Sequence, residues 1–258
     1  MRERPPMSIE WLRPEWGAPP TVHAACTLRA GGVSAAPFAS LNLAAGVGDA
    51  PAAVAENRRR LRAALALPAE PLWLQQVHGT EVLSADLERA PGPADAAVTQ
   101  RDDRVLTIMV ADCMPVLLAS EDGAVIGAAH AGWRGLAAGV LEATIAAMGV
   151  EGRGLHAWLG PAIGPAHFEV GDEVRAQFLA GDARAAAGFT ANARGRWQCD
   201  LALLARQRLA RLGVTRVSAA ERCTYAEAAN CYSYRRDGQT GRMAALIWRS
   251  AGRPSGAC

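Results

Sequence analysis

Apolar residues recur along the chain with two different periods, and each period predicts a different kind of element. Between 52 and 67 they are spaced as on one face of a helix, with arginines between them, which predicts an amphipathic helix. Two further segments, 136–148 and 201–212, have helical spacing, and each is followed by a glycine that would end the helix. A short apolar run at 156–159 predicts a strand, which a loop and a helix over 169–179 follow.

Short runs of consecutive apolar residues lie between these helices and predict buried strands. The predicted strands are 105–110, 116–118, 124–129, 156–159, 214–217 and 243–248. Strands that alternate with helices, without a repeat or a long linker, are typical of a single mixed α/β domain. We expect this domain to span 17–250, after an N-terminal extension over 1–16 and before a C-terminal tail over 251–258.

Composition narrows the function classes. Half of the 258 residues are apolar, which is enough for a sizeable core. The 27 basic and 25 acidic residues leave a formal net charge of +2, which argues against a nucleic-acid-binding face. Every basic residue is an arginine, so a lysine Schiff base, a Walker-type phosphate lysine and a Ser–Lys pair are excluded. Because we find neither a secretory signal nor a membrane span, we expect a cytoplasmic protein without a membrane partner.

His78, Cys113 and His130 are the first candidates for chemistry. Each lies where a predicted buried element meets a loop, with glycine or proline close by. Two imidazoles and one thiolate suit zinc, with a fourth position open to water or substrate. The spacings of 35 and 17 residues match no short metal motif. The residues alone therefore leave a second interpretation open, in which these are hydrogen-bonded core histidines and an inert buried thiol.

The sequence strings around these three residues resemble one family. They are Gln-Val-His-Gly at 76–79, Asp-Cys-Met-Pro-Val-Leu-Leu at 112–118 and His-Ala-Gly-Trp-Arg-Gly at 130–135. Further strings that resemble the family, in its order, lie at 29–34, 38–43, 57–58, 160–165, 168–170 and 233–238. The family is the laccase-domain, or polyphenol-oxidase-like, family of zinc-dependent purine nucleoside phosphorylases. The chain departs from its usual pattern at Cys231-Tyr232 and Thr27-Leu28, which bears on pocket shape.

The resemblance implies a fold, a metal and two activities. The fold is a four-layer α/β/β/α sandwich, and His78, Cys113 and His130 would bind the catalytic metal, which is zinc with copper as the alternative. Adenosine, inosine, guanosine and methylthioadenosine would be cleaved with phosphate to the free base and a sugar 1-phosphate. Adenosine would also be deaminated to inosine. The expected partners are therefore purine nucleosides and phosphate, while the oligomeric state is left undetermined.

Without lysine, the phosphate must be held by arginines, main-chain N–H groups and hydroxyls. Arg134 is the first candidate because it lies at a predicted helix start, and Arg58 and Arg29 come next. For each arginine, the alternative is a solvated surface charge. Asn42 and Gln75 are candidates for contacts with the ribose or the base, and the alternative is that they cap turns.

Deamination requires a general acid and base beside the metal, where a bound zinc ion would activate a water for attack at C6 of adenosine. Asp112, next to the ligand Cys113, is one candidate and Glu169 is a second. Asp112 has an alternative role, which is to orient a ligand histidine. The His-x-Glu spacing at 167–169 matches zinc deaminases, but the chain has no Cys-x-x-Cys, so we treat that match as chance.

Three rival functions follow from the same residues. A copper polyphenol oxidase is one, although five histidines are too few for a multicopper laccase. A cysteine hydrolase or amidase, with Cys113 as nucleophile and His130 as base, is the second. The resemblance supports this second rival, because some bacterial relatives are linked to editing of peptidoglycan precursors. A metal-binding protein without catalytic activity is the third.

Overall fold

Two β-sheets pack face to face, and helices cover their outer faces. The computed structural model describes residues 8–87 and 92–250. Its strands are β1 Trp11–Leu12, β2 Val22–Thr27, β3 Leu72–Trp73, β4 Val82–Ser84, β5 Ala96–Thr99, β6 Val105–Val110, β7 Met114–Ser120, β8 Ile126–Ala131, β9 Leu155–Leu159, β10 Glu169–Val170, β11 Phe189–Ala191, β12 Trp197–Cys199, β13 Arg216–Ala219 and β14 Met243–Arg249. Its helices are α1 Pro51–Ala64, α2 Trp133–Ala138, α3 Val140–Met148, α4 Asp172–Gly181, α5 Leu201–Arg211 and α6 Tyr234–Asp237.

The strands form two large sheets and one small one. The five-stranded sheet has the order β1-β2-β14-β6-β3, and the six-stranded sheet has the order β13-β9-β7-β8-β5-β4. Strands β10, β12 and β11 form a small antiparallel sheet beside them. The chain passes from the five-stranded to the six-stranded sheet after β3 and again after β6. Both of these crossing segments, 74–81 and 111–113, border the site described below.

Alternation of side chains along the central strands produces the layers, since successive residues of a strand point to opposite faces. Ile247 of β14 lies in the core between the two sheets, whereas its neighbour Leu246 packs with Leu61 of α1 on the outer face. In β7, Leu117 faces the core between the sheets, and Leu118 faces the core under α3, α4 and α5. The expected four-layer α/β/β/α sandwich is confirmed.

Most of the predicted elements are present, with one break and one shift. The first helix and the strand at 105–110 occur as α1 and β6. The helix predicted over 136–148 is divided into α2 and α3 because Gly139, with φ of 103°, ends one helix and precedes the other. The strand predicted over 214–217 lies instead at 216–219, and Val214 is buried in the core ahead of it.

The proposed domain boundaries remain a prediction. Within the first 16 residues, β1 pairs with β2, and Trp16 is buried in the core between the sheets. The tail expected at 251–258 lies outside the described residues. Among the helices of the described residues, none combines the length and apolar character needed to cross a bilayer.

Candidate metal centre

His78, Cys113 and His130 meet at one end of the two sheets. His78 lies on the segment between β3 and β4, Cys113 lies between β6 and β7, and His130 lies in β8. The sulfur and one nitrogen of each histidine all lie within 4.8 Å of one another. His78 Nε2 is 3.8 Å from Cys113 Sγ, and the two imidazole rings are edge to face with centroids 4.8 Å apart. Three separate elements therefore supply one compact set of donors.

His78 and Asp112, the residue before Cys113, have unusual backbone conformations. His78 has φ of 62° and Asp112 has φ of 97°, in the left-handed region that side chains other than glycine seldom adopt. Gln76 fixes the first of these segments by pairing with the main chain of Met109 in β6. Its amide nitrogen donates to the Met109 carbonyl and its amide oxygen accepts from the Met109 N–H, both at 2.8 Å. This amide pair attaches the His78 segment to the five-stranded sheet.

Asp95 lies directly behind the metal-ligating group and is fully buried. His130 Nδ1 is 2.8 Å from Asp95 Oδ1, and the same carboxylate accepts main-chain hydrogen bonds from residues 77–79. Burial raises the pKa of Asp95, but the bonds from His130, Gly79 and Val77 outweigh it and hold the pKa below its usual value. Asp95 is therefore a carboxylate that hydrogen-bonds a candidate ligand.

The surroundings of Cys113 favour the thiolate form of its side chain. Burial raises its pKa, but the neighbouring imidazoles of His130 and His78 have the larger combined effect and lower it to about 6. His130 shows the opposite shift: burial lowers its pKa, while Cys113 and Asp95 together raise it. Anionic sulfur beside a cationic imidazole, in a buried place, is an arrangement in which a metal cation can replace a proton.

The space around the three donors also fits a metal ion. A Cβ atom on Gly132 would lie 2.7 Å from Cys113 Sγ and 3.3 Å from His78 Cδ2, so the residue that borders the donors must be glycine. One sulfur and two nitrogens suit zinc or copper, and three protein ligands leave a coordination position open. This donor set is therefore compatible with a catalytic metal rather than a closed structural one.

The open side of the group faces a cavity of about 660 Å³, a size typical of small-molecule sites. Its walls are largely apolar. It is lined by Ala44, Ala45, Val47, Leu74, Gln75, Gln76, His78, Met109, Val110, Ala111, Asp112, Cys113, His130, Trp133, Arg134, Ile163, Phe168, Leu201, Tyr234, Arg235 and Arg242.

Three arginines line this cavity and give it positive charge. Arg134 is exposed and lies over the Trp133 ring, with its guanidinium carbon 4.5 Å from the ring centroid. Arg242 is largely covered and donates to the carbonyl of Thr240 at 2.8 Å, and burial lowers its pKa. Arg235 donates through one nitrogen to a main-chain carbonyl at 2.9 Å. Guanidinium groups in this position can hold an anion near the metal ligands.

Comparison with known proteins identifies the family. A family model described as multi-copper polyphenol oxidoreductase laccase matches residues 23–250. The chain belongs to this family. A purine nucleoside phosphorylase of Pseudomonas aeruginosa is 52% identical over 239 residues, which cover 92% of this chain and 98% of the relative. The purine nucleoside phosphorylase YfiH of Escherichia coli is 50% identical over 236 residues, with coverage of 91% and 97%.

Solved structures of other laccase-like proteins have the same fold. The Neisseria meningitidis protein NMB0706 matches with a TM-score of 0.90 at 43% identity, covering 93% of this chain and 99% of that one. YlmD from Geobacillus stearothermophilus matches with a TM-score of 0.83 at 32% identity, covering 93% and 96%. The family description mentions several copper ions, but the described part of this chain shows one group of three metal-ligating side chains.

In this member of the laccase-like family, the candidates Asp112 and Gln75 line the cavity, and their proposed roles remain predictions. The carboxylate of Asp112 accepts hydrogen bonds from the Thr224 hydroxyl at 2.6 Å and from the Arg235 main-chain N–H at 2.7 Å. The described contacts of Asp112 thus include no candidate ligand histidine, whereas Asp95 makes such a contact with His130.

Glu169 and Asn42 are not among the described residues that line the cavity. The Glu169 carboxylate is paired with Arg194 and accepts a hydrogen bond from Asn192, so it is already neutralised. Asn42 is buried and donates to Asp49 at 2.9 Å, and its amide oxygen accepts two main-chain N–H groups. Both residues therefore stabilise loops in this structure.

Arg29 and Arg58 also lie away from this cavity. Arg29 donates to the carbonyl of Ala39 and so holds the loop before α1. Arg58 donates to the carbonyl of Leu43 at 2.9 Å and stacks on Trp73, with its guanidinium carbon 3.9 Å from the ring centroid. It lines a separate cavity of about 410 Å³. Of the three arginines predicted from the sequence, Arg134 is the one that lines the cavity shared with His78, Cys113 and His130.

Sequence reasoning missed Asp95, Gln76, Arg235 and Arg242 as parts of the site. The last three lie in or beside the family strings, so their positions were a usable signal. Asp95 had a different signal, because it is a single carboxylate inside an otherwise apolar segment, where burial without a partner is costly.

Proposed function

We propose that the chain is a metal-dependent purine nucleoside phosphorylase. The observation that carries the proposal is a His/Cys/His group that opens onto a cavity with three arginines. Two relatives support the proposal. They are named purine nucleoside phosphorylase and are 52% and 50% identical in sequence to this chain. The substrates would be adenosine, inosine, guanosine and methylthioadenosine, each cleaved with phosphate. We expect the enzyme to act in the cytoplasm.

The arginines would hold phosphate beside C1′ of the nucleoside. Arg134, Arg235 and Arg242 line the cavity and would contact the phosphate. The apolar wall that includes Phe168 and Ile163 would cover the purine. As a phosphate oxygen bonds to C1′, the N-glycosidic bond breaks and the electron pair leaves with the purine, which must receive a proton. Fixed guanidinium groups favour this step by stabilising the phosphate anion beside C1′.

The metal would be zinc, with copper as the alternative, held by His78, Cys113 and His130. When bound, zinc would supply Lewis-acid activation of water, which is the chemistry that deamination of adenosine to inosine requires. The residues of the chain would position the reactants around it. Asp112 lines the same cavity and is the proposed acid/base group, whereas Glu169 is committed to Arg194.

The deciding experiment is turnover of inosine and adenosine with and without phosphate, together with metal content. Wild type would be compared with Cys113→Ala and with a matched control, Cys223→Ala. Cys223 is also a half-buried thiol beside an imidazole, with Sγ 3.4 Å from His167 Nδ1, but it lies outside the cavity lining. We expect phosphate-dependent release of base to disappear together with zinc in Cys113→Ala and to persist in Cys223→Ala.

A second candidate function is a Cys–His hydrolase or amidase that edits peptidoglycan precursors. The observation in its favour is the lowered pKa of Cys113 beside His130, which is the arrangement of an activated thiol nucleophile. The same experiment separates the two functions. Metal that stays bound in Cys113→Ala while activity vanishes would indicate a nucleophile. Zinc-loaded wild type that turns over no nucleoside would contradict the phosphorylase.

A further inference from the structure

The carboxylate of Asp95 has four donors around it, and all of them belong to the metal centre. Oδ1 accepts from the His78 main-chain N–H at 2.9 Å and is 2.8 Å from His130 Nδ1. Oδ2 accepts from the main-chain N–H groups of Val77 at 3.1 Å and Gly79 at 2.7 Å. A carboxylate offers about four acceptor positions, so the hydrogen-bonding capacity of Asp95 is fully used.

Three consecutive N–H groups that converge on one anion form a concave main-chain site of the kind that binds phosphate in other proteins. Here the anion is a side chain of the protein itself. His78, in the middle of the three, has the left-handed φ of 62°. The negative charge of Asp95 therefore favours the one loop conformation that brings the His78 ring to Cys113.

The second histidine depends on the same carboxylate in a different way. In the neutral ring, a hydrogen bond from His130 Nδ1–H to Asp95 leaves Nε2 without a proton and available as the metal ligand. The main chain of His130 is attached as well, since its N–H donates to the Asp95 carbonyl at 2.7 Å. Asp95 thus sets both the tautomer and the position of His130.

We propose that Asp95 is the positioning residue for both histidine ligands, with one carboxylate fixing the His78 loop and the His130 ring together. It contacts neither substrate nor metal and acts through the ligands. The inference rests on the metal dependence in the proposed function. Its test measures zinc affinity, so that it can succeed or fail separately from phosphorolysis.

The first test is the zinc dissociation constant of Asp95→Asn, measured by competition with a chromogenic chelator. The amide introduced by this substitution would direct its NH₂ group at one or more of the N–H donors that surround Asp95. At least one of the two candidate histidine ligands would therefore lose its hydrogen bond to residue 95. We expect zinc to bind about 10- to 100-fold more weakly than to wild type. The matched control is Asp86→Asn, because Asp86 accepts from Thr99 and Gln100 at the opposite end of β5 and touches no ligand. Its zinc affinity should equal that of wild type.

A spectroscopic measurement shows whether the effect passes through the His130 ring. In wild type, the hydrogen-bonded Nδ1–H of His130 should give a downfield imidazole proton resonance that His130→Gln lacks. We expect that resonance to be lost or moved upfield in Asp95→Asn and to be retained in Asp86→Asn. Weakened zinc binding in Asp95→Asn with this resonance unchanged would show that the effect does not pass through the His130 ring.

Chemical rescue covers the case in which Asp95→Asn fails to fold. In Asp95→Gly the carboxylate is removed and space is left behind, so added formate should restore zinc binding while chloride at equal ionic strength should not. Folded Asp95→Asn with the zinc affinity of wild type would overturn the inference, as would Asp95→Gly that binds zinc tightly without formate. Wild type that binds zinc but cleaves no nucleoside would contradict the proposed function and leave the role of Asp95 intact.

Discussion

Gly132 borders the metal-ligating group, and its lack of a side chain determines how closely the ligands approach one another. Its backbone, with φ of −64° and ψ of 159°, lies in a region open to any residue. The close approach to Cys113 Sγ and His78 Cδ2 is therefore the reason for glycine at this position. The same contact provides a test that leaves all three ligands in the chain.

We predict that Gly132→Ala lowers zinc affinity by about tenfold or more, because the added methyl group would displace Cys113 or His78 by several tenths of an ångström. Metal titration of the purified variant measures the change. Gly92→Ala is the control, since a Cβ there would meet nothing within 4 Å. Equal zinc affinity in the two variants would mean that the ligands can shift without cost.

The sequence points to the three candidate ligands through the family strings, whereas the tertiary contacts of Asp95 leave no such pattern. His78, Cys113 and His130 stand in strings of recognisable order. Asp95 stands alone, and no spacing relates it to a loop 17 residues earlier or to a histidine 35 residues later. Its role depends on the packing of β5 beside β8, which is a tertiary fact.

At the scale of elements, Gly139 separates α2 from α3 in a stretch whose apolar spacing is continuous. Leu136 and Val140, on either side of the break, are both buried in the core under the helices. Periodicity alone therefore predicts one helix. The left-handed glycine lets the chain change direction while both helices still cover the six-stranded sheet.

We predict that Gly139→Ala destabilises the protein by about 1–2 kcal/mol, because an L side chain is strained at φ of 103°. Its Cβ would otherwise meet only ordinary contacts, the closest at 3.5 Å from Glu142. Urea unfolding followed by circular dichroism measures the loss. Gly154→Ala serves as the control, since its Cβ would also meet an ordinary 3.5 Å contact and its φ is not positive. Similar stability of the two variants would refute the conformational explanation.

Long buried elements were predictable and short edge elements were not, for a physical reason. Strand β6 and helix α1 are long enough to display a period of apolar residues. The small sheet of β10, β12 and β11 has strands of two or three residues, which are too short to show one. Hydrogen bonding to a neighbour, rather than side-chain pattern, defines such strands.

At the scale of the whole molecule, the order of strands is the feature that the sequence leaves open. Strand β14 lies between β2 and β6, so the two ends of the described domain pair with each other. Neighbours this far apart along the chain leave no local pattern. The layered architecture was nevertheless predictable, since it came with the family resemblance.

We predict that zinc raises the melting temperature of the whole domain, because a ligand that binds only the folded state stabilises it. Cys113 has a pKa of about 6 and is a thiolate above that value. The rise should therefore shrink as the pH falls through 6, where protons compete with zinc for the sulfur, and should still grow toward pH 8, because zinc also displaces a proton from His130, whose pKa Cys113 and Asp95 raise to about 9. Scanning calorimetry with zinc and with a chelator, from pH 5 to pH 8, measures it. A rise that is independent of pH would exclude the thiolate as a ligand.

Two of the three ligands lie on the crossing segments, 74–81 and 111–113, where the chain leaves one sheet for the other. The third, His130, belongs to the six-stranded sheet itself. Cys113 directly precedes β7, which pairs with β8, so the placement of His78 relative to the other two candidate ligands is the part that depends on how the two sheets pack. Substitutions at the rim of the cavity, such as at Tyr234 and Trp133, could change the preferred substrate without affecting this packing. A change of residue size at Leu117 or Ile247, in the core between the sheets, would instead shift His78 relative to the other two candidate ligands. Evolution of new specificity in this fold is thus expected at the rim, while the inter-sheet core stays constrained.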